Sequence, residues 1–386
     1  MIKLESFIEK CTGCSACQNA CPNGSIVMKR DGCGFLYPSI NEATCINCNQ
    51  CERVCEALNG CNELFLDNLN SKYIAAWANE ANMEPNSTSG GVATVLSKNF
   101  LESGRVFGAA FIDGVTKLQH IECSSLGDIL AISGSKYLQS DTTNSFSNVK
   151  KALVSGEKVL YIGTPCQIAG LKKFLGKQYE NLYTIDFFCH GVPSPLAWEK
   201  YVDYLEKKYH AKLLKYNFRA KLRGWGRIEQ SAKFSSRCFF RDIGSLNAYH
   251  SWFGHHLSIR SSCFHCQLRS DRRVSDITLA DFWKIEQFYP EVPTKQGVSC
   301  VILNTKQGEE LFDEAVKKCQ LISKEVSYES VWEKRKTTKS NFKEPLEREE
   351  FLQNLKTLSG EQLVKKYPSQ TFWQLVLSKF RSLIRK

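Results

Sequence analysis

The chain has 386 residues, of which 42% are hydrophobic and 24% charged, values that are ordinary for a soluble globular protein of two or three domains. No run of about eighteen apolar residues occurs, so the sequence predicts no membrane-spanning helix. The formal net charge of +11 would suit a nucleic-acid partner, but the basic residues are spread over the last two-thirds of the chain without a helix-turn-helix or RNA-binding signature, so nucleic acid is not expected.

The unusual feature of the composition is its eighteen cysteines. The N-terminal residues have neither the apolar segment nor the cleavage site of a secretory signal. Cysteines in such a chain are more typical of metal ligands or free thiols than of disulfides. The sequence therefore predicts a reducing, cytoplasmic location.

Eight of the cysteines form two runs with the same spacing, Cys11-x2-Cys14-x2-Cys17-x3-Cys21 and Cys45-x2-Cys48-x2-Cys51-x3-Cys55. In bacterial two-cluster ferredoxins, which have this spacing, the fourth cysteine of each run ligates the cluster of the other run. Four-cysteine zinc sites more often present two separated pairs, so the doubled triplet favours two [4Fe–4S] clusters over zinc. The predicted ligands are a first set, Cys11, Cys14, Cys17 and Cys55, and a second set, Cys21, Cys45, Cys48 and Cys51.

A polar linker at Asp67–Ser71 ends this ferredoxin-like domain, which we assign to residues 1–66. Cys33 and Cys61 fall outside the ligand pattern and are expected to be buried thiols. Strands and helices then alternate from residue 72 to about residue 325, which predicts an α/β domain. The predicted strands are 72–77, 106–112, 118–123, 159–162, 182–188, 213–218, 231–240, 277–280 and 297–304, and the predicted helices are 92–100, 145–154, 167–175, 195–209 and 308–319.

The turn Ser89-Gly90-Gly91 precedes the first of these helices. Glycines at a loop-to-helix junction allow backbone N–H groups to approach a phosphate, whose charge the helix dipole favours. The same sequence is also typical of an ordinary helix N-cap, so both interpretations remain open.

Four further cysteines are candidates for a third set: Cys166, Cys189, Cys263 and Cys266. Cys166 and Cys189 each follow a predicted strand, and ligands of α/β sheets collect beyond the carboxyl ends of strands. Cys263 and Cys266 form a Cys-x2-Cys pair that could complete a four-thiolate site. The alternative is four unrelated thiols. Cys123, Cys238, Cys300 and Cys319 have no such context and are expected to be structural.

From residue 326 to the C-terminus the chain is charged and predicted to be helical. Its tail, Phe372–Lys386, has the pattern of a basic amphipathic helix, which could contact an anionic membrane surface. The alternative is a terminal helix packed on its own protein.

Six short motifs occur in order along the chain and together resemble the β-subunit family of coenzyme F420-reducing hydrogenases and dehydrogenases, in its form with a fused N-terminal ferredoxin domain. The resemblance covers about residues 1–320. The motifs are Thr88-Ser89-Gly90-Gly91, Gly134-Ser135-Lys136-Tyr137, Gly163-Thr164-Pro165-Cys166-Gln167, Cys189-His190-Gly191-Val192-Pro193, Cys263-x2-Cys266 and Leu279-Ala280-Asp281-Phe282-Trp283.

The resemblance implies an α/β domain with a mixed sheet that binds FAD and exchanges electrons with iron–sulfur clusters. It implies that the third set holds a further [4Fe–4S] cluster near the flavin, and that His190 is either a proton donor to substrate or a neighbour of the Cys189 ligand. The residues expected to contact FAD are Ser89, Gly90, Gly91, Ser135, Lys136 and Tyr137, with Arg269 and Asp281 as further neighbours.

The leading hypothesis is a flavin- and iron–sulfur-dependent oxidoreductase that passes electrons to or from an organic acceptor such as a deazaflavin. Its partner would be a redox protein or a small electron carrier. The alternative is an electron-transfer or adaptor subunit that serves a separate catalytic chain. A third hypothesis is a zinc-stabilised nucleic-acid-binding protein.

Overall fold

A computed structural model describes residues 9–236, 239–243, 246–333 and 342–369. Cys238 and the tail Phe372–Lys386, with its predicted amphipathic helix and membrane contact, lie outside these ranges. Within them, no helix combines the length and the apolar character needed to cross a membrane.

The two cysteine runs fold alike around a two-stranded antiparallel sheet. In each run the residue after the second cysteine, Ser15 (φ 63°) or Asn49 (φ 58°), adopts a left-handed conformation and starts a short helix that contains the third cysteine. The elements of this region are α1 (Ala16–Ala20), β1 (Ile26–Arg30), β2 (Leu36–Ile40), α2 (Gln50–Arg53) and α3 (Glu56–Asn59).

The remaining elements alternate as the sequence predicts, and several bounds agree closely. Up to residue 187 they are β3 (Lys72–Ala78), α4 (Val92–Leu101), β4 (Gly104–Asp113), β5 (Lys117–Cys123), α5 (Leu126–Ile132), α6 (Ser145–Val154), β6 (Lys158–Ile162), α7 (Pro165–Leu175) and β7 (Leu182–Phe187). From there they are α8 (Pro195–Tyr209), β8 (Leu213–Ala220), β9 (Glu229–Phe234), β10 (Phe239–Ile243), α9 (Ala248–Gly254), β11 (Ile277–Asp281), β12 (Ser299–Leu303), α10 (Lys306–Lys317), β13 (Leu321–Glu325), α11 (Tyr328–Trp332), α12 (Arg348–Thr357) and α13 (Gly360–Lys366).

Eight strands form a mixed sheet in the order β13-β3-β12-β11-β7-β6-β4-β5. Strands β11, β7, β6 and β4 are mutually parallel, and the outer pairs are antiparallel. A separate antiparallel sheet has the order β10-β9-β8. The predicted mixed α/β sheet is confirmed.

Helices cover both faces of the sheet. Alternate residues of β6 show this: Leu160 packs with α4 and α10 on one face, and Val159 and Tyr161 pack with α6 and α7 on the other. The second face also buries Ala16 and Val54 from the cysteine-rich region. Each large apolar side chain buried in this way contributes about 1.5–3 kcal/mol to folding. The ferredoxin-like region is therefore packed onto the sheet domain.

Two expectations from the sequence were wrong in detail. Residues 231–240 form parts of two antiparallel strands, β9 and β10, rather than one, and β13 was not predicted. The division at residues 66, 72 and 326 stays a prediction, and the described helices α12 and α13 pack into the same core as α8.

Candidate functional site

The structure brings the first cysteine set together in the interior. Burial raises the pKa of the Cys14 and Cys17 thiols, and the neighbouring Cys11 and Cys55 thiols raise it further. Cys14 lies against Gly170 of α7, where an added Cβ would come within 2.8 Å of the Cys14 sulfur.

Two buried hydroxyls beside the first set have no hydrogen-bond partner among the described residues. These are Ser15 Oγ, one residue after Cys14, and Thr143 Oγ1. The backbone of this second threonine is tied to α1, because Asn19 donates to the Thr143 carbonyl at 2.7 Å. Buried hydroxyls normally find a partner, and the sulfur atoms of a [4Fe–4S] cluster would provide acceptors for them.

The second set lines a pocket of about 450 Å³ at the outer end of the cysteine-rich region. All four of its predicted ligands, Cys21, Cys45, Cys48 and Cys51, are in the wall. Cys21 belongs to the first run, so the predicted exchange of fourth cysteines agrees with the placement of the side chains. The Ile46 side chain beside this pocket is 59% exposed, so the second set lies close to solvent.

The third set lines a larger pocket of about 630 Å³. Cys166 stands in the first turn of α7, which Pro165 and a reciprocal Thr164–Gln167 capping box start sharply. Cys189 follows the end of β7, which pairs in parallel with β6, so both cysteines lie at the predicted rim. Cys263 and Cys266 come from a turn that faces this rim.

Local groups already point at the sulfur atoms of the third set. The Gly191 N–H donates to Cys189 Sγ at 3.3 Å and the Val192 N–H to Cys263 Sγ at 3.4 Å, while Thr164 Oγ1 lies 3.1 Å from Cys166 Sγ. Burial raises the pKa of Cys189, Cys263 and Cys266 to about 11, so these thiols are protonated at neutral pH unless a metal displaces the proton. They are better suited to metal ligation than to nucleophilic chemistry.

Charged residues flank the third set on opposite sides. The Arg269 guanidinium acts on Cys189, Cys263 and Cys266 and donates to the Cys189 carbonyl at 3.4 Å. The Glu56 carboxyl, next to Cys55, acts on Cys166 and on Cys14, and it accepts from Thr12 Oγ1 at 2.9 Å. Thr12 also lines the third pocket, so this carboxyl lies between the first and third sets.

Arg260 fixes the cysteine-rich region against the third site. This buried side chain donates to the carbonyls of Cys11 (2.6 Å) and Leu36 (2.9 Å), and its guanidinium covers the Tyr37 ring at 4.1 Å. Cys263 follows it by three residues. The first set is therefore the one held next to the third, and the second set is the outer one.

The C-terminal region supports the same site. Arg348 of α12 donates twice to the Ile259 carbonyl, and its guanidinium covers the Phe264 ring at 5.0 Å. Phe342 packs under the Arg269 guanidinium at 4.4 Å. The described part of the predicted extension thus covers the third set.

His190 is exposed, and the wall of the third pocket runs through Cys189 and Gly191 without its ring. Partial loss of hydration and the positive charges of Arg269 and His256 lower its pKa. Its role as a proton donor stays a prediction.

The Ser89-Gly90-Gly91 turn lies where the sheet meets α4. Ser89 does not cap the helix, because its hydroxyl donates to the Val298 carbonyl at 2.7 Å; the N-cap is Gly91 (φ 78°), which has no capping side chain. An added Cβ at Gly90 would lie 2.3 Å from the Ala76 carbonyl oxygen. This glycine therefore allows close packing of the chain on itself, and the first N–H groups of α4 have no side-chain cap.

The second group of predicted flavin contacts is partly engaged within the protein. Thr88 Oγ1 accepts from the Ser135 N–H at 2.7 Å, which joins the two loops. Lys136 is buried and donates to the carbonyls of Ile132 and Ser133 at the C-terminal end of α5. Burial lowers the pKa of Lys136 to about 7. Its ammonium group is directed at this helix end.

Tyr137 and Asp281 meet at a unit that the sequence motifs did not reveal. Arg219 of β8 donates to Asp281 Oδ2 at 2.8 Å and to the Tyr137 hydroxyl at 3.3 Å, and its guanidinium covers the Trp283 ring at 5.0 Å. Trp283 also stacks on Trp225, with ring centroids 4.5 Å apart. Arg269, in contrast, lies at the third cysteine set.

Lys221 adds a second cation to this unit. Its Nζ donates to the Ser89 carbonyl at 2.6 Å and to the Gln296 carbonyl at 2.7 Å. Burial, together with the Arg219 charge, lowers its pKa to about 8, although the Asp281 charge acts in the opposite direction. The basic turn from Arg219 to Arg227 was visible in the sequence, but its spacing gave no sign of these partners.

No group of three or more Cys, His, Asp or Glu side chains within the described ranges is arranged to hold a single metal ion. Zinc draws its sulfur ligands to about 2.3 Å, whereas a [4Fe–4S] cluster sets four iron atoms between its thiolates and needs a wider arrangement. Together with the all-cysteine donor sets and the unpartnered hydroxyls, the wide pockets fit clusters better than zinc.

Comparison with known proteins supports these assignments at the level of the family. The description "4Fe-4S dicluster domain" matches residues 10–58. The description "Coenzyme F420 hydrogenase/dehydrogenase, beta subunit N-term" matches residues 73–146, and its counterpart for the carboxyl-terminal part of the same β-subunit matches residues 156–329. Together the two β-subunit matches cover most of the chain.

A curated relative is the coenzyme F420-dependent sulfite reductase of Methanocaldococcus jannaschii, 24% identical over 357 residues. The match covers 90% of this chain and 52% of the relative, so the chain spans about half the length of that protein. Among solved structures, a chain of the F420-reducing [NiFe] hydrogenase complex from Methanosarcina barkeri matches with 19% identity and a TM-score of 0.45, over 76% of this chain and 91% of that chain. The protein belongs to the coenzyme F420 hydrogenase/dehydrogenase β-subunit family and carries a 4Fe–4S dicluster domain ahead of the β-subunit region.

Proposed function

We propose that this protein is an iron–sulfur flavoenzyme that exchanges electrons between three [4Fe–4S] clusters and FAD, with an organic hydride acceptor such as a deazaflavin as its substrate. The observation that carries the proposal is the third pocket, whose wall contains all four predicted ligands, Cys166, Cys189, Cys263 and Cys266. The clusters would supply one-electron transfer and the flavin would couple it to two-electron chemistry.

The protein's own residues set the order of the sites. Arg260 and the close contact of Cys14 with Gly170 hold the first set next to the third. The second set lies outermost and open to solvent, so we propose it as the place where a redox protein or small electron carrier exchanges electrons with the chain.

The proposed flavin site lies along the α4 N-terminus and the Arg219–Asp281 unit. N–H groups at the start of α4 that have no side-chain cap suit a pyrophosphate. Arg219 and Lys221 provide two cations against the single Asp281 carboxylate, so the wall carries net positive charge. Such a charge would favour the pyrophosphate and the anionic reduced flavin.

A reducing compartment such as the cytoplasm agrees with the state of the thiols. The described cysteines outside the three sets are free, among them Cys33, Cys61, Cys123 and Cys300, which are buried. The Fe–S clusters proposed for the other twelve also require protection from oxidants.

The test is anaerobic purification followed by analysis of iron, acid-labile sulfide, zinc and flavin. We expect about twelve irons and one FAD per chain, since each cluster has four thiolates available. Cys166→Ser should lower the iron content to about eight and leave the other two clusters intact. Cys123→Ser, a buried cysteine outside the sets, is the matched control and should keep all the iron.

Three results would contradict the proposal: zinc in place of iron, absence of flavin, or full iron retention in Cys166→Ser. Turnover of a deazaflavin with a viologen dye by the isolated chain would establish an enzyme. Absence of turnover in a fully loaded chain would instead favour the adaptor subunit.

A further inference from the structure

The third cysteine set has positive charge on the side that faces away from the ferredoxin-like region. Arg269 lines the pocket and acts on three of its four thiols. The Arg273 charge also acts on Cys189, although this guanidinium is paired with Asp186 at 3.0 Å. Arg269 is thus the main source of positive charge on these sulfur atoms within the described ranges.

A buried hydroxyl adds a donor at the same pocket. Ser262 lines the wall beside Cys263, its side chain is 4% exposed, and its Oγ has no hydrogen-bond partner among the described residues. A hydroxyl in that position can donate to a ligand inside the pocket. Because the donor set around it consists of thiols, the nearest acceptors would be the sulfur atoms of a bound cluster.

The first set has the opposite electrostatic surroundings. The charges that act on the Cys14 thiol come from Glu56 and from the neighbouring Cys11 and Cys55 thiols. Glu56 is buried with Thr12 as its hydrogen-bond donor. The first set therefore has a carboxylic acid at its boundary with the third set, whereas the far side of the third set has a guanidinium.

The reduction potential of an iron–sulfur cluster rises with nearby positive charge and with hydrogen bonds to its sulfur atoms. We propose that Arg269 and Ser262 raise the reduction potential of the third cluster above that of the first. Each transfer then oxidises the first cluster by one electron and reduces the third by one electron, and no bond is made or broken. Electrons that enter through the ferredoxin-like region collect at the third site, beside the flavin.

This inference rests on the proposed three-cluster function and assigns a direction to it. The test is a redox titration of the complete, anaerobically loaded chain, followed by electron paramagnetic resonance. The signal of the third cluster is identified as the one missing from Cys166→Ser. In the wild-type chain we expect the third cluster to be reduced at a higher potential than the first.

Arg269→Gln removes the charge and should lower the midpoint potential of the third cluster while the first and second stay unchanged. Arg269→Lys keeps the charge and should restore most of the difference. The matched control is Arg272→Gln, because Arg272 is an exposed arginine on the same segment and does not line the pocket. This control should leave all three midpoints in place.

Ser262→Ala should lower the same midpoint by a smaller amount. Its matched control is Ser258→Ala: Ser258 is equally buried and its hydroxyl is also unpartnered among the described residues, but it lies outside the pocket wall. If Arg269→Gln loses the third cluster, as iron analysis would show, Arg269→Lys and Ser262→Ala decide the question.

The inference is overturned if the third cluster of the wild type has the lower potential, or if its midpoint does not respond to Arg269→Gln and Ser262→Ala with the iron retained. A wild-type chain without a signal that depends on Cys166 would overturn the proposed function itself. The two failures are therefore distinguishable in one titration series.

Discussion

The cysteine sites and the predicted flavin wall are built in different ways. Around the cysteines the chain packs loosely: the two pockets enclose about 630 and 450 Å³, and Ser15 and Ser262 have buried hydroxyls without partners among the described residues. Along the flavin wall the corresponding groups are engaged: Ser89 donates to Val298, and Lys136 to the end of α5. The first region keeps space between its thiols, and the second packs against its own chain.

The difference follows from what each site must provide. A cluster needs four thiolates at fixed positions, so a single residue type is required and its spacing shows in the sequence. A flavin is bound by backbone N–H groups and by charges that many residue types can supply. The experiments below test whether the cysteine region fails when its space is filled and whether the flavin wall responds to loss of charge.

The largest effect should come from filling the space beside Cys14. In Gly170→Ala the new Cβ would come within 2.8 Å of the Cys14 sulfur, and the backbone of α7 cannot move away because its neighbours Ala169 and Leu171 are buried. We expect loss of the first cluster, about four irons per chain, with the third cluster retained. Iron analysis and resonance spectra of the first and third clusters measure the outcome.

Gly254→Ala is the control for this change. Gly254 also lies in a helix, but nothing stands within 4 Å of its added Cβ, so alanine should stabilise the chain by about 0.5–1 kcal/mol through helix propensity. Equal iron contents in the two variants would show that Cys14 is not held against α7.

The spacing of the cysteines and the strand ends around Cys166 and Cys189 made the three sets predictable, as did the alternation of strands and helices. The parts that could not be predicted depend on contacts distant in sequence. Arg260 reaches the Cys11 carbonyl over 249 positions, and Arg219 reaches Asp281 over 62, and neither lies in a local pattern. A single chain without such contacts also cannot show that Ser262 is left unpartnered.

The next effect in size should come from Arg260. In Arg260→Gln the Cys11 and Leu36 carbonyls lose a charged donor in the interior, which costs about 2–5 kcal/mol. We expect earlier thermal loss of the two N-terminal clusters while the α/β domain still melts cooperatively. Arg53→Gln, an exposed arginine of the same region that donates to the Cys48 carbonyl, is the control and should change little.

On the flavin wall, Arg219→Gln should weaken FAD binding by about ten- to a hundredfold, the value of one charge-assisted hydrogen bond. Arg219→Lys should fall between the variant and the wild type, because it keeps the charge but not the planar fork over Trp283. Lys215→Gln, an exposed lysine on the same strand, is the control. Unchanged FAD affinity, measured by flavin fluorescence on the protein with its clusters, would place the flavin away from this unit.

The smallest effect separates two roles for Lys136. Because burial lowers its pKa to about 7, the folded chain binds fewer protons than the unfolded chain from about pH 7 to about pH 10.5. Stability should therefore rise with pH across this window, by up to about 1.4 kcal/mol per pH unit. Lys136→Met removes this rise, whereas Lys158→Met, at an exposed lysine, keeps it.

Apparent melting temperatures from about pH 7 to about pH 9.5 give the comparison. If Lys136 only caps α5, Lys136→Met loses the pH dependence and binds FAD as tightly as the wild type, since its donors reach only the helix end. If its ammonium turns to the flavin pyrophosphate, FAD binding weakens as well, and saturating FAD raises the melting temperature of the wild type more than that of the variant. The second result would mean that the flavin wall, like the cysteine region, rearranges around its cofactor, and the contrast between the two regions would disappear.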